Sequence, residues 1–380
     1  MSRSLLVIAG EVSGDMHAAR VIETLRRRGA DVACWGIGGD ELRAAGVEIR
    51  YDISDMAVLG LWEVIKRYGF FRRTFNEMVR AMEAQKPDAV LLVDYPGFNL
   101  RFAREARRRG VKVLYYICPQ VWAWHRSRIT RMAELVDRLM VIFPFEVDVF
   151  RETSLPVDFV GHPLVETARK ATHEPPAELP WRGEGERVAI LPGSRAQEME
   201  RILPPMLEAA RIMEAKRPGI SFLVAAPSDR MAGEAEALMD RAQIRPTQLA
   251  VVPGQTRQVL RQARAAMVAS GTATIETALM ACPMIIVYKT SPLTYWFGKR
   301  LIRVPYLGMV NIVAQRPLCP EFLQHEAQPA AMAEATLALL EDGPERNTMV
   351  SGLRDVARQL GEEDAAEKTA SILMEELGLT

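Results

Sequence analysis

Cysteine is scarce and scattered in this chain of 380 residues. Cys34, Cys118, Cys282 and Cys319 lie too far apart for a CxxC pair or a zinc-ligand spacing. That argues against a disulfide scaffold or a zinc module, and fits reduced thiols in a cytosolic protein. Long apolar runs are absent too: no stretch reaches the roughly 18 uninterrupted apolar residues of a membrane-spanning helix, so any membrane contact must be peripheral. Net charge is missing, with Lys plus Arg and Asp plus Glu at 48 each. A generic nucleic-acid binder is therefore disfavoured. The first glycine turn is not GxGxxG, which disfavours a dinucleotide site. No short-period repeat stands out, which disfavours a solenoid. The opening residues enter Leu5-Leu6-Val7-Ile8-Ala9 after a single Arg and read as a strand and turn rather than a signal peptide.

What is present is a globular composition, 49% hydrophobic and 25% charged, at a length that suits two domains. Apolar strand-like runs recur at 5–9, 32–37, 89–93, 113–117, 139–142 and 157–160, with helix-like stretches between them. After 171–187, a segment with three Pro and little apolar period that reads as a linker, the alternation restarts at 188–191, 221–225, 249–252, 265–269 and 284–287. Strands alternating with helices and buried on both faces imply parallel, doubly wound sheets. The last fifty residues read as helical. The expected division is 1–170, 188–345 and a helical tail 346–380 returning to the first half. The fold class is α/β: two Rossmann-like domains facing a central cleft, with ligands at the carboxyl ends of the strands. Glycosyltransferases, sugar-nucleotide epimerases and periplasmic-type binding proteins share such a plan, so it does not name the chemistry.

Candidate chemistry sits where strands end. The first strand runs into Gly10-Glu11-Val12-Ser13-Gly14-Asp15, a tight turn in which Asp15 can cap the next helix; an ordinary strand-to-helix turn explains it equally well. Asp94 ends the run 89–93 directly before Tyr95-Pro96-Gly97. It is placed for a general base, or for a cap. Trp122, Trp124 and His125 occur within Pro119-Gln120-Val121-Trp122-Ala123-Trp124-His125, as a core seal or an apolar platform for a ligand. In the second half, Leu191-Pro192-Gly193-Ser194-Arg195 and Ser270-Gly271-Thr272-Ala273-Thr274-Ile275-Glu276 each follow a strand and open a helix. Free amides there, with Arg195 and the hydroxyls beside them, suit a diphosphate, and Glu276 can hold a ribose. From Arg101 to Met140, ten basic residues stand against three acidic ones: a solvated helix face, or a surface for a phosphate-bearing partner or an anionic membrane.

The set GEVSGD, VDYPGFN, PQVWAWH, IFPFE, VGHPL, LPGSR, ASGTATIE and CPMIIVYK, with the stretch 295–303, resembles the lipid-A-disaccharide synthases in order and spacing, from about residue 5 to about residue 325. The resemblance implies an inverting, metal-independent glycosyltransferase of the GT-B fold without a cofactor. It joins UDP-2,3-diacylglucosamine to 2,3-diacylglucosamine 1-phosphate through a β-1,6 bond at the inner membrane surface. It implies Asp94 as the essential carboxylate, Glu11, Ser13 and Asp15 in the acceptor loop with Trp122 and His125 beside them, and Arg195, Gly271, Thr272, Glu276 and Asn311 toward the donor. The sequence departs from the family pattern at Gly97, where a second Asp is usual, at His125, where Arg is usual, and at Val310, where Pro is usual. The stretch 59–73 reads as a helix whose Leu61, Trp62, Ile65, Phe70 and Phe71, edged by Lys and Arg, would contact an anionic membrane; a core or dimer-contact helix is the alternative. Further expectations are a cytoplasmic, peripherally bound enzyme, no nucleic-acid partner, and a homodimer. An acceptor-independent epimerase, a peptidoglycan glycosyltransferase and a non-catalytic sugar-nucleotide binder are the rival readings.

Overall fold

The computed structural model of the chain describes residues 3–56, 68–123, 127–290 and 305–379. The chain forms two compact units, Met1–Pro163 with Gly361–Thr380, and Leu164–Leu360. In the first unit β1 (Arg3–Ala9), β2 (Val32–Gly38), β3 (Glu48–Asp52), β4 (Ala89–Val93), β5 (Lys112–Tyr116), β6 (Arg138–Val141) and β7 (Val157–Phe159) form one sheet in the order β3-β2-β1-β4-β5-β6-β7. Neighbours run parallel, for instance with Leu5 beside Ala89 and Ala9 beside Val93. Leu5 to Ala9 and Ala89 to Val93 are wholly buried, because helices cover both faces of a parallel sheet. The order of the strands reverses between β1 and β4.

The second unit repeats the device. Its strands β8 (Arg187–Leu191), β9 (Ser221–Ala226), β10 (Leu249–Pro253), β11 (Ala265–Ala269), β12 (Met284–Tyr288) and β13 (Glu321–Leu323) lie in the order β10-β9-β8-β11-β12-β13, also parallel. The reversal falls between β8 and β11. Among the described residues no helix is long and apolar enough to cross a membrane.

Three expectations are corrected. The first unit ends at Pro163, not at 170, because helix Leu164–His173 packs against helices Thr256–Gln262 and Thr272–Leu279 of the second unit. The supposed linker is anchored there as well: Trp181 Nε1 donates to Gln262 at 3.0 Å, and the Gly185 amide donates to the Gly219 carbonyl at 3.0 Å. Of the tail, helix Pro344–Gln359 packs on helices Thr272–Leu279 and Met309–Ala314, and only helix Ala365–Leu377 returns, covering helix Val12–Arg27.

Part of the basic run is engaged in ion pairs rather than left as a free cationic face. Arg109 pairs with Glu83 (2.7 Å) and Glu105 (2.6 Å), Lys112 with Glu376 (2.9 Å), and Arg138 with Asp158 (2.8 Å) and Glu375 (2.9 Å). Phe70 and Phe71, on helix Tyr68–Gln85, are half-buried against the first unit's core and meet edge-to-face at 5.9 Å. For these two the structure favours packing over membrane contact. Leu61, Trp62 and Ile65 lie outside the described residues.

Candidate functional site

In open parallel sheets, ligands bind outside the carboxyl ends of the strands where the strand order reverses. Four of the five segments singled out in the sequence occupy those two places: the loops after β1 and β4 in the first unit, and the loops after β8 and β11 in the second; the fifth, with Trp122, follows β5.

In the first unit, Asp94 and Tyr95 have φ of 45° and 47°, in the left-handed region that costs a non-glycine residue roughly 1–3 kcal/mol. The strain is held by neighbours. Asn99 Nδ2 donates to the Asp94 carbonyl at 2.8 Å and to the Val93 carbonyl at 3.2 Å, and the Tyr115 hydroxyl donates to the Asp94 carbonyl from the next strand. Gly10 makes room for the turn, since a Cβ there would stand 2.2 Å from the Tyr95 ring. The Asp94 side chain is thereby left as a half-buried carboxyl. Burial, and then the nearby charge of Glu11, push its pKa up to about 6. A carboxylate that titrates just below neutrality is suited to take a proton.

Glu11 and Ser13 are exposed at the start of helix Val12–Arg27. Val12, between them, is 75% exposed, the one large hydrophobic side chain so exposed among the described residues. Asp15 differs from expectation. Its carboxylate is buried and accepts from the backbone amides of Gly39 (2.6 Å), Glu41 (3.1 Å) and Leu42 (3.4 Å), so it ties the next helix, Asp40–Ala44, to the loop rather than facing a ligand. Trp122 is buried too. Its Nε1 donates to Glu146 Oε1 at 3.1 Å, and its ring meets Phe145 edge-on at 5.0 Å, which resolves this Trp as core rather than platform. Trp124 and His125 lie outside the described residues. A Cβ at Gly97 would meet nothing within 4 Å, so there is room for the side chain that the family pattern carries at this place.

Glu146 was missed by sequence reasoning, although IFPFE carries it. Burial raises its pKa to about 8; bonds from Trp122 Nε1 and the Phe143 amide pull it down, and the charge of Asp94 adds to the rise. The carboxyl is thus mainly neutral at pH 7 behind the loop that bears Trp122.

In the second unit, a cavity of about 320 Å³ is lined by Gly193, Ser194 and Arg195 after β8, by Ser270, Gly271 and Thr272 after β11, and by Glu276 one turn further on. Gly271, at φ 138°, is the N-cap residue of helix Thr272–Leu279. It lets the chain turn tightly into the helix, whose start, with its free amides, favours an anion. Arg195 is exposed and pairs with Glu198 at 3.0 Å. Glu276 is mostly buried; burial raises its carboxyl, and Arg257 opposes this. Thr256 and Arg257 also line the cavity from the loop after β10. Sequence reasoning passed over them, although Gly254-Gln255-Thr256-Arg257 repeats the strand–turn–helix signal of the other two loops. Asn311 is elsewhere. It is buried, with Nδ2 donating to the Cys319 carbonyl and Glu321 Oε1 at 2.8 Å each and Oδ1 accepting from the Cys319 amide at 2.9 Å, which leaves it a structural tie and not a lining residue.

Known structures share this architecture at low sequence identity. A calicheamicin glycosyltransferase aligns over 100% of this chain and 99% of its own, with a TM-score of 0.62 at 16% identity. UDP-GlcNAc 2-epimerase from Neisseria meningitidis, bound to UDP-GlcNAc, aligns over 99% and 100% with a TM-score of 0.62 at 11% identity. These likenesses establish the fold, two doubly wound units of the GT-B kind. The sequence relatives are nearer. The lipid-A-disaccharide synthase of Geobacter metallireducens is 38% identical over 99% of this chain and 98% of its own length, and that of Syntrophus aciditrophicus is 40% identical over 97% and 96%. The family model for lipid-A-disaccharide synthetase matches residues 5–375. With that match spanning both switch-point sites, the chain belongs to the lipid-A-disaccharide synthase family, and it is a glycosyltransferase.

Proposed function

We propose that the enzyme condenses UDP-2,3-diacylglucosamine with 2,3-diacylglucosamine 1-phosphate in a single inverting displacement. The observation that carries this reading is Asp94: a braced, strained carboxylate at the first unit's switch point, with a pKa of about 6. In the proposed step Asp94 takes the proton of the acceptor 6-hydroxyl while that oxygen bonds to the donor's anomeric carbon. The bond from that carbon to the diphosphate breaks, and UDP departs with the electron pair. The amides at Gly271 and Thr272, with Arg195, meet the charge that develops on the diphosphate. Fixed donors of this kind stabilise a leaving anion by several kcal/mol without a metal ion, and activity is expected to persist in EDTA.

Glu11, Ser13 and the exposed Val12 belong to the acceptor loop in this reading, and an apolar side chain there suits an acylated ligand. Acylated substrates also put the reaction at a lipid surface. The test is Asp94→Asn. Turnover should fall by roughly two to four orders of magnitude, the usual span for loss of a general base, with UDP affinity unchanged by calorimetry. Near-normal turnover would remove Asp94 from the mechanism.

A further inference from the structure

Arg257 is a cation lining the second unit's cavity that has no part in the mechanism above. It arrives from a third loop. β10 ends at Pro253, Gly254 turns the chain, and Arg257 is the second residue of helix Thr256–Gln262. Its Nε lies 2.8 Å from Glu276 Oε1, and both side chains line the cavity beside Gly193, Arg195 and Gly271. This is not a surface pair: Arg257 is 33% exposed and Glu276 17%. The other cavity cation, Arg195, is engaged with Glu198 at 3.0 Å.

A carboxyl as enclosed as Glu276 loses hydration when ionised, and burial alone would favour its neutral form. Arg257 is the charge that opposes this. The two states read a ligand differently. A neutral carboxyl is part donor and part acceptor, whereas a carboxylate is acceptor only, with about four lone-pair sites on two oxygens. Arg257 engages one oxygen from one side, and capacity remains for two hydroxyl donors from the cavity. A vicinal diol supplies two such donors at neighbouring carbons, and the ribose of a nucleoside diphosphate carries one.

We infer that Arg257 is a positioning residue of the nucleotide subsite: it holds Glu276 as an aimed carboxylate, so that Glu276 accepts from the two ribose hydroxyls of the donor nucleotide. The inference rests on the reading of this cavity as the donor site. It assigns the arginine to the glutamate and not to the phosphates, and the two assignments separate experimentally.

The experiment is calorimetry on the full-length protein with UDP and with 2′,3′-dideoxy-UDP, which keeps the base and both phosphates but lacks the diol. The parent should prefer UDP by roughly 10- to 100-fold, the range for hydrogen bonds to a charged group. Glu276→Gln and Arg257→Met should each reduce the preference to within about threefold, by weakening UDP while leaving the dideoxy ligand bound as in the parent. Arg257→Lys, which keeps a cation next to the carboxylate, should restore most of the preference. Circular dichroism and melting curves on each variant establish that the fold is intact. If Arg257→Met keeps the parent's preference, or weakens both ligands equally as a phosphate contact or a packing residue would, the inference is overturned while the donor reading stands. If the parent binds no UDP, the donor reading itself fails before any variant is measured.

Discussion

At Asp94 the larger cause of the raised pKa is burial and the second is the charge of Glu11. Removing that charge should make the proton easier to lose. Glu11→Gln is expected to move the acid limb of the kcat/KM–pH profile from about 6 to lower pH, and an unmoved limb would show that Glu11 does not act on the base. Stability carries the opposite sign. Folded Asp94 binds its proton more tightly than an unfolded Asp at 3.8, so its contribution is full below about pH 4 and is lost as pH rises through 6. Asp94→Asn should therefore be more stable than the parent at pH 8, on the order of 2–3 kcal/mol by denaturant melts, with the gap closing in acid. Asp94 was legible in the sequence because it ends an apolar run. The partners of Asp15 and Asn311 were not, because they arrive from Gly39 to Leu42 and from Cys319 to Glu321, and a capping side chain reads like a ligand-facing one until its partners are placed.

Among the elements, the strands buried on both faces were readable as continuous apolar runs. The two that escaped, β3 and β13, lie at sheet edges with half-exposed, polar sequences, Glu-Ile-Arg-Tyr-Asp and Glu-Phe-Leu. Periodicity shows that a helix has an apolar face but not what the face meets, which is why Pro344–Gln359 was assigned to the wrong unit. Asp15 decides between two accounts of its loop. As the acceptor for three amides of Gly39, Glu41 and Leu42, it should cost about 2–4 kcal/mol of stability when replaced by Ala, while the molecules that remain folded keep near-parent turnover. Lost turnover with unchanged stability would return Asp15 to the acceptor site.

For the whole molecule, two consecutive sheets were legible from alternation, and the return of the chain end to the first unit was legible only as an expectation for the tail as a whole. Helix Ala365–Leu377 buries Ile372, Leu373 and Leu377, and Ser371 accepts from Arg28 at 2.6 Å while Glu376 pairs with Lys112. Removing 361–380 should destabilise the first unit by on the order of 5 kcal/mol and leave UDP affinity, which the proposed reading assigns to the second unit, near the parent value. A joint loss of both would contradict the division of ligands between units. The central claim is the acceptor-dependent transfer itself. Its most direct measurement is UDP released from UDP-2,3-diacylglucosamine by the purified enzyme in EDTA, with and without 2,3-diacylglucosamine 1-phosphate. The account predicts stoichiometric UDP and disaccharide only when both substrates are present; sugar-nucleotide turnover at the same rate without the acceptor would contradict it.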